Sequence, residues 1–216
     1  MDISSEALRN GVDSLSSKYA GLDIKTIVGD FDGAVKLNII NRPALITCFG
    51  STIGNQLPEQ RHNMLSQIWA QMHHGDALLL GVDLVKDTQG MVSAYQDQNG
   101  TLAAFCKNGL TVLNYELGAD FKLESFEHVT TWNSQLRRVE NCLLACHPQT
   151  ITLSKPKTTV SFAKKEPLTV GISYKFSQES LRSELRAAGF DLTRWWTDAQ
   201  GCYAIALSFP VQPPTF

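Results

Sequence analysis

Two short apolar runs, Ala44 to Phe49 and Ala77 to Val82, are separated by a segment whose apolar residues recur at helical spacing. This alternation constrains the fold more than any other feature of the chain. Pro58 suits the first turn of the intervening helix, and Met64, Leu65, Ile68, Trp69 and Met72 follow along one side, with His73-His74-Gly75-Asp76 closing it. A strand, a covering helix and a second strand predict a parallel sheet with helices on its faces. An earlier short run, Ile24 to Val28, reads as another strand and ends at Gly29-Asp30-Phe31. Ligands of such sheets bind at the carboxyl ends of the strands, where Asp30, Asn55 and Asp83 all fall.

Before these strands, Leu8, Val12, Leu15 and Tyr19 share one helical face behind Ser4, a candidate N-cap, and Gly21 is the stop. After Lys86 the character changes. A helix-prone stretch to Leu117 gives way to alternating segments around Glu127 to Trp132, Arg138 to Leu144, Thr150 to Leu153 and Thr158 to Phe162, which predict an antiparallel arrangement. The helix-and-strand rhythm then resumes. Leu181, Leu185 and Ala188 share a helical face between Ser177 and Gly189, and strands are predicted at Leu192 to Trp196 and Tyr203 to Leu207. The economical architecture is an α/β core, residues 1–85 and 176–216, interrupted by an α+β lobe at 86–175, with the site in the cleft between them.

Composition narrows the function classes. Nineteen Lys and Arg against 21 Asp and Glu leave a net charge of −2, with no general attraction to nucleic acid or anionic lipid, so the expected partner is a small molecule. No apolar run approaches the roughly 20 residues of a membrane helix, and Met1-Asp2-Ile3-Ser4 opens into polar sequence without a signal-peptide core. A cytoplasmic location is expected. The five cysteines are an odd number scattered through apolar stretches, as suits reduced thiols. Cys142, Cys146 and His147 are close in sequence, but a second ligand pair is missing and the segment reads as strand, so buried thiols are expected rather than a metal site.

Several strand-end residues could carry chemistry. Asp2, before the first helix, could accept hydrogen bonds from both hydroxyls of a ribose, or could serve the helix start as a cap. Asp30 with Phe31 would suit an adenine ring, the carboxylate accepting from the exocyclic amine, although the segment also reads as a plain turn. The glycines of Gly50-Ser51-Thr52-Ile53-Gly54-Asn55 would let backbone approach a ligand, and Asn55 offers a donor and an acceptor to the polar end of an amino acid. The loop lacks the lysine and spacing of a phosphate-binding P-loop.

Taken together these residues resemble the histidine-specific N-alpha-methyltransferase family of ergothioneine biosynthesis, which uses S-adenosylmethionine. The resemblance runs in order through Asp2-Ile3-Ser4, Gly29-Asp30-Phe31, Gly50 to Asn55, Leu78 to Asp87, Ala94-Tyr95, Leu113-Asn114, Glu116 to Phe121, Phe126-Glu127-His128, Ser173 to Phe176 and Trp196-Thr197-Asp198. It implies a Rossmann-like methyltransferase core, incomplete at the N-terminus, with an inserted substrate-binding lobe. It implies Asp2 as ribose ligand, and Asp30 as adenine ligand with Phe31 beside it. Asn55 and Tyr95 would then hold the amine and carboxylate end of the substrate, and Ser173 would reach toward its side chain. No covalent nucleophile is needed, and no general base is assigned: methyl transfer from a sulfonium to a neutral amine is catalysed mostly by positioning. His73 and His74 are expected to terminate a helix, near its negative end.

Three departures from the family pattern bear on function. The family's N-terminal stretch, with its glycine-rich cofactor loop, is expected to be missing. Gly171 stands where the histidine enzymes carry a glutamate that reads the imidazole, and Asn141 stands where they usually have methionine. Fungal relatives that N-methylate a prenylated tryptophan resemble this chain in having glycine at the position of Gly171. The expected function is therefore α-N-methylation of a free amino acid, with histidine implied by resemblance. An aromatic amino acid such as a tryptophan derivative is the alternative substrate, and a non-catalytic remnant of the fold is the alternative role.

Overall fold

The computed structural model describes residues 1–30, 36, 37, 39, 43–93, 95 and 99–211. The chain begins with α1 (Ser5–Lys18), whose start is capped by the Ser4 hydroxyl accepting from Ala7 N at 3.1 Å. Periodicity placed this helix correctly, yet none of its residues is buried, and Leu15 and Tyr19 stay 45% and 58% exposed. Its apolar stripe is uncovered, so local caps and hydrogen bonds hold it. Ile24 to Val28, expected as a strand, contributes only a parallel bridge between Val28 and Asp2.

β1 (Leu45–Cys48) and β2 (Ala77–Asp83) pair in parallel, with α2 (Pro58–Trp69) between them, as the alternation predicts. Helix α2 ends at Ala70, three residues before His73. The sharp return is made instead by Gly75 at φ 91° and by Asp76, a fully buried carboxylate that accepts from Ala44 N and His73 N at 2.8 Å each. These bonds satisfy backbone donors of the turn and tie it to the entry of β1.

The segment after Lys86 forms α3 (Thr88–Ser93), α4 (Thr101–Leu117), β3 (Phe126–Asn133), β4 (Arg138–Ala145), β5 (Gln149–Ser154), β6 (Lys157–Phe162) and β7 (Pro167–Tyr174). Strands β3, β4 and β7 make an antiparallel sheet, and β5 and β6 a separate hairpin. Strand β7 is an addition to the expected set, although Leu168, Val170 and Ile172 alternate there at strand spacing. A core of Leu110, Phe126, Leu143, Ile151 and Phe162 lies beneath α4. The rings of Phe126 and Phe162 meet edge to face, 5.6 Å apart. Burying each such ring stabilises the fold by roughly 2–3 kcal/mol.

α5 (Gln178–Ala187) follows, capped by Ser177 and stopped at Gly189, and then β8 (Phe190–Thr197) and β9 (Tyr203–Pro210). Strand β9 runs antiparallel to β2, and β8 antiparallel to β9 and so in the direction of β1 and β2, giving the order β1-β2-β9-β8. The sheet is thus mixed rather than wholly parallel. The connection from β8 to β9 is too short for a crossover, and Asp198 closes it by accepting from Cys202 N at 2.6 Å and Tyr203 N at 2.8 Å. Leu65, Leu78, Leu80, Leu181, Leu185 and Phe190, each 0% exposed, form a second core on this sheet. Among the cysteines, Cys146 is exposed, which corrects the expectation of buried thiols: it lies just past the end of β4.

Candidate functional site

A cleft of about 970 Å³ opens between the carboxyl ends of β1 and β2 on one side and strands β4 and β7 on the other. Asn55, Tyr95 and Ser173, singled out from the sequence, all line it. Asn55 ends a short 3-10 helix, Thr52–Asn55, that is entered through left-handed backbone at Gly50 (φ 75°) and Ser51 (φ 58°). The Ser51 hydroxyl accepts from Asp83 N at 3.1 Å, and Gly50 N donates to the Tyr203 hydroxyl at 3.2 Å. Gly54 packs against β7 so closely that a Cβ there would lie 2.8 Å from Tyr174 O. That glycine therefore permits contact between protein segments rather than with a ligand, and the contact sets Asn55 opposite the end of β7.

The cleft floor is an ionic cluster. Lys175, 4% exposed, reaches Asp83 Oδ2 at 2.6 Å and also donates to the Tyr95 hydroxyl at 2.9 Å and the Ser173 hydroxyl at 3.0 Å. Lys86 binds the other oxygen of Asp83 at 2.7 Å. Burial works to raise the Asp83 carboxyl, but hydrogen bonds and charge from Lys175 and Lys86 outweigh it and hold the group below its ordinary value. The same carboxylate holds the Lys86 ammonium above its ordinary value against the opposing effect of burial. The Asp198 carboxylate also acts on Lys86, so the two ammonium groups face two carboxylates. Sequence reasoning gave Lys175 no role, although it follows Gly171 and Ser173 at strand spacing, one residue past the end of β7.

The far wall is formed by β4 and β7, where Asn141 stands opposite Gly171. Asn141 Oδ1 accepts from the Thr130 hydroxyl at 2.8 Å and lies 3.3 Å from His128 Nε2. That leaves the amide nitrogen beside Gly171, where a Cβ would stand 3.8 Å from it in ordinary contact. Arg61, 2% exposed, anchors this wall to the core. It pairs with Glu184 through two bonds of 2.7 and 2.8 Å, donates to Gln56 O at 2.6 Å, and lies 4.5 Å from the Tyr174 ring centroid.

A second cavity of about 500 Å³ lies between Asp2 and the open edge of β1, with Ile46, Cys48, Phe49 and Thr52 in its wall. Asp2 pairs with Val28, donating its N–H to Ile27 O at 3.2 Å and accepting from Gly29 N at 3.1 Å. Asp30, two residues past Val28, is exposed and is not among the residues that line this cavity. One Asp2 oxygen already accepts from Ser4 N at 2.8 Å, while the cap of α1 is Ser4 itself. Burial pushes the Cys48 thiol up despite a hydrogen bond from Ile53, so it stays protonated. Phe31 lies outside the described residues. The loop from Phe49 to Thr52 lines both cavities, Gly50 and Ser51 facing the first and Phe49 and Thr52 the second. Among the described residues no helix is long and apolar enough to cross a membrane.

Comparison with known proteins bears on this arrangement. The sequence profile of a family described as "Histidine-specific methyltransferase, SAM-dependent" matches residues 1–209. The chain is 40% identical over 208 residues to histidine N-alpha-methyltransferase of Mycolicibacterium smegmatis, covering 96% of this chain and 64% of that protein. It therefore spans somewhat less than two thirds of that relative. The 4-dimethylallyltryptophan N-methyltransferase of Epichloe festucae var. lolii is 26% identical over 178 residues, 74% of this chain and 51% of that protein. Among solved structures, an S-adenosylmethionine-dependent methyltransferase from Clostridium acetobutylicum superposes with a TM-score of 0.51 at 10% identity, covering 95% of this chain and 72% of that one. At that identity the likeness concerns the fold.

Proposed function

The chain belongs to the histidine-specific, S-adenosylmethionine-dependent methyltransferase family, and from that premise we propose that it serves methyl transfer to the α-amino nitrogen of a free amino acid. The observation that carries the reading is the loop from Phe49 to Thr52, shared by the two cavities. A methyl donor beside Asp2 and an amine beside Asn55 would meet across it.

In this reading residues 1–85 and 176–216 form the cofactor-side core, and 86–175 the lobe that encloses the substrate. The cofactor's place fits the residues present, because the Asp2 carboxylate lines a cavity of ligand size. Asp2 accepts from the ribose hydroxyls, retaining one oxygen beyond its bond to Ser4, and Asp30 accepts from the adenine amine, with Phe31 beside it. S-adenosylmethionine, when bound, supplies an electrophilic methyl group open to in-line displacement by a neutral amine.

The remaining work falls to positioning. Asn55 orients the amine through its carboxamide, Tyr95 holds the carboxylate, and Ser173 reaches toward the side chain. No dedicated base is required once the amine is neutral.

Histidine is the substrate implied by the closer relative, whereas the open wall at Gly171 favours a bulkier aromatic side chain. Isothermal titration of the chain with S-adenosylhomocysteine, followed by histidine and tryptophan, tests the reading. Saturable binding of the cofactor product and of one amino acid supports it. A folded chain that binds neither refutes it and leaves the non-catalytic remnant of the fold.

A further inference from the structure

We infer that Lys175 is a positioning residue that turns the Tyr95 and Ser173 hydroxyls to donate toward the substrate, Tyr95 to its carboxylate and Ser173 to its side chain. The inference rests on the assignment of this cleft to an amino-acid substrate and adds to it the polarity of the site.

The argument is a count of donors and acceptors. An ammonium carries three N–H donors and no acceptor. Lys175 directs them to Asp83 Oδ2 at 2.6 Å, the Tyr95 oxygen at 2.9 Å and the Ser173 oxygen at 3.0 Å. Because it cannot accept, each hydroxyl meets Lys175 through its oxygen, and its own O–H must point elsewhere. Both oxygens of Asp83 are already engaged, one by Lys175 and the other by Lys86. Both hydroxyls line the cleft. Their hydrogens are turned away from Lys175, and the cleft is the space in which a ligand would meet them.

Without Lys175, a Tyr or Ser hydroxyl can rotate to donate or accept according to the ligand. With it, the Tyr95 hydroxyl is turned to donate to a carboxylate oxygen, whereas the corresponding carboxamide lacks the charge and presents NH2 hydrogens to a hydroxyl that already points its own hydrogen at them. Leaving such a polar group unpaired discriminates strongly between otherwise similar ligands. Lys175 acts through Asp83, Tyr95 and Ser173 and need not touch the reacting atoms.

The experiment is calorimetric titration of the full chain, saturated with S-adenosylhomocysteine, with histidine and histidinamide, repeated with tryptophan and tryptophanamide. Wild type is expected to bind an acid at least about tenfold tighter than its amide. Lys175→Met should reduce that ratio to within about threefold, because orientation and charge are lost together. Tyr95→Phe should lower the ratio as well; it leaves the Lys175–Asp83 pair intact and guards against misfolding of the first variant. A purely structural role would weaken acid and amide equally and leave the ratio unchanged. A ratio preserved in both variants, or a wild type that binds acid and amide alike, overturns the inference while the substrate reading stands. A wild type that binds S-adenosylhomocysteine but none of the four ligands overturns both.

Discussion

Replacing Asp83 with Asn removes a charge and little volume, so it isolates the ionic cluster at the floor of the cleft. The side chain of Lys175 is 2% exposed and that of Asp83 21% exposed, which leaves the lysine dependent on this carboxylate for its counter-charge. Removing one partner of a buried pair destabilises by about 3–5 kcal/mol. Partial exposure of Asp83 and the bonds that Lys175 keeps to Tyr95 and Ser173 put the expectation at the lower end, about 3 kcal/mol at neutral pH.

The pH dependence follows from the depressed carboxyl. The unfolded chain takes up a proton near the ordinary value of 3.8, whereas folded Asp83 holds out to lower pH. More protons are bound in the unfolded state across that window, so stability rises with pH through it. The contribution is fully present above the ordinary carboxylate range and disappears as pH falls through the folded value. The gap between wild type and Asp83→Asn should accordingly stay near its neutral value down to about pH 5 and shrink below pH 4. Denaturant unfolding followed by tryptophan fluorescence at a series of pH values measures it. A gap below about 1 kcal/mol at pH 7, or one that does not shrink in acid, would refute the view that Lys175 relies on Asp83.

Three further perturbations test other parts of the structure. Arg61→Met should lower unfolding stability by about 3 kcal/mol, because Gln56 O loses its donor and Glu184 its bidentate partner, and a cycle with Glu184→Gln should be less than additive. Gly189→Ala should destabilise by about 2–3 kcal/mol in the same assay, since φ is +89° and the added Cβ would lie 2.7 Å from Trp69 Nε1. Gly171→Glu should fold normally, with its Cβ in ordinary contact with Asn141, and should raise affinity for histidine relative to tryptophan by tenfold or more, on the order of what a recovered polar contact provides, as competitive titration would reveal.

Local pattern determined much of this protein. The helical spacing of Met64, Leu65 and Ile68 and the apolar runs on either side contain the parallel β1–β2 pair, because each element must bury one apolar face. Ser4 and Ser177 mark helix starts through side-chain caps that need no tertiary partner. Ordered motifs also supplied Asn55, Tyr95 and Ser173 before their common cleft was visible. Only tertiary structure decided what those residues share. The bonds from Lys175 to Asp83 and Tyr95 join positions some eighty to ninety residues apart, and no local period records a contact of that kind. The antiparallel entry of β9 beside β2 is likewise set by the short β8–β9 turn and by long-range pairing rather than by the composition of the strand. Gly54 gives the same lesson at one residue: its sequence context suggests a ligand loop, but the backbone it approaches is that of Tyr174, and only the packed structure brings that backbone near.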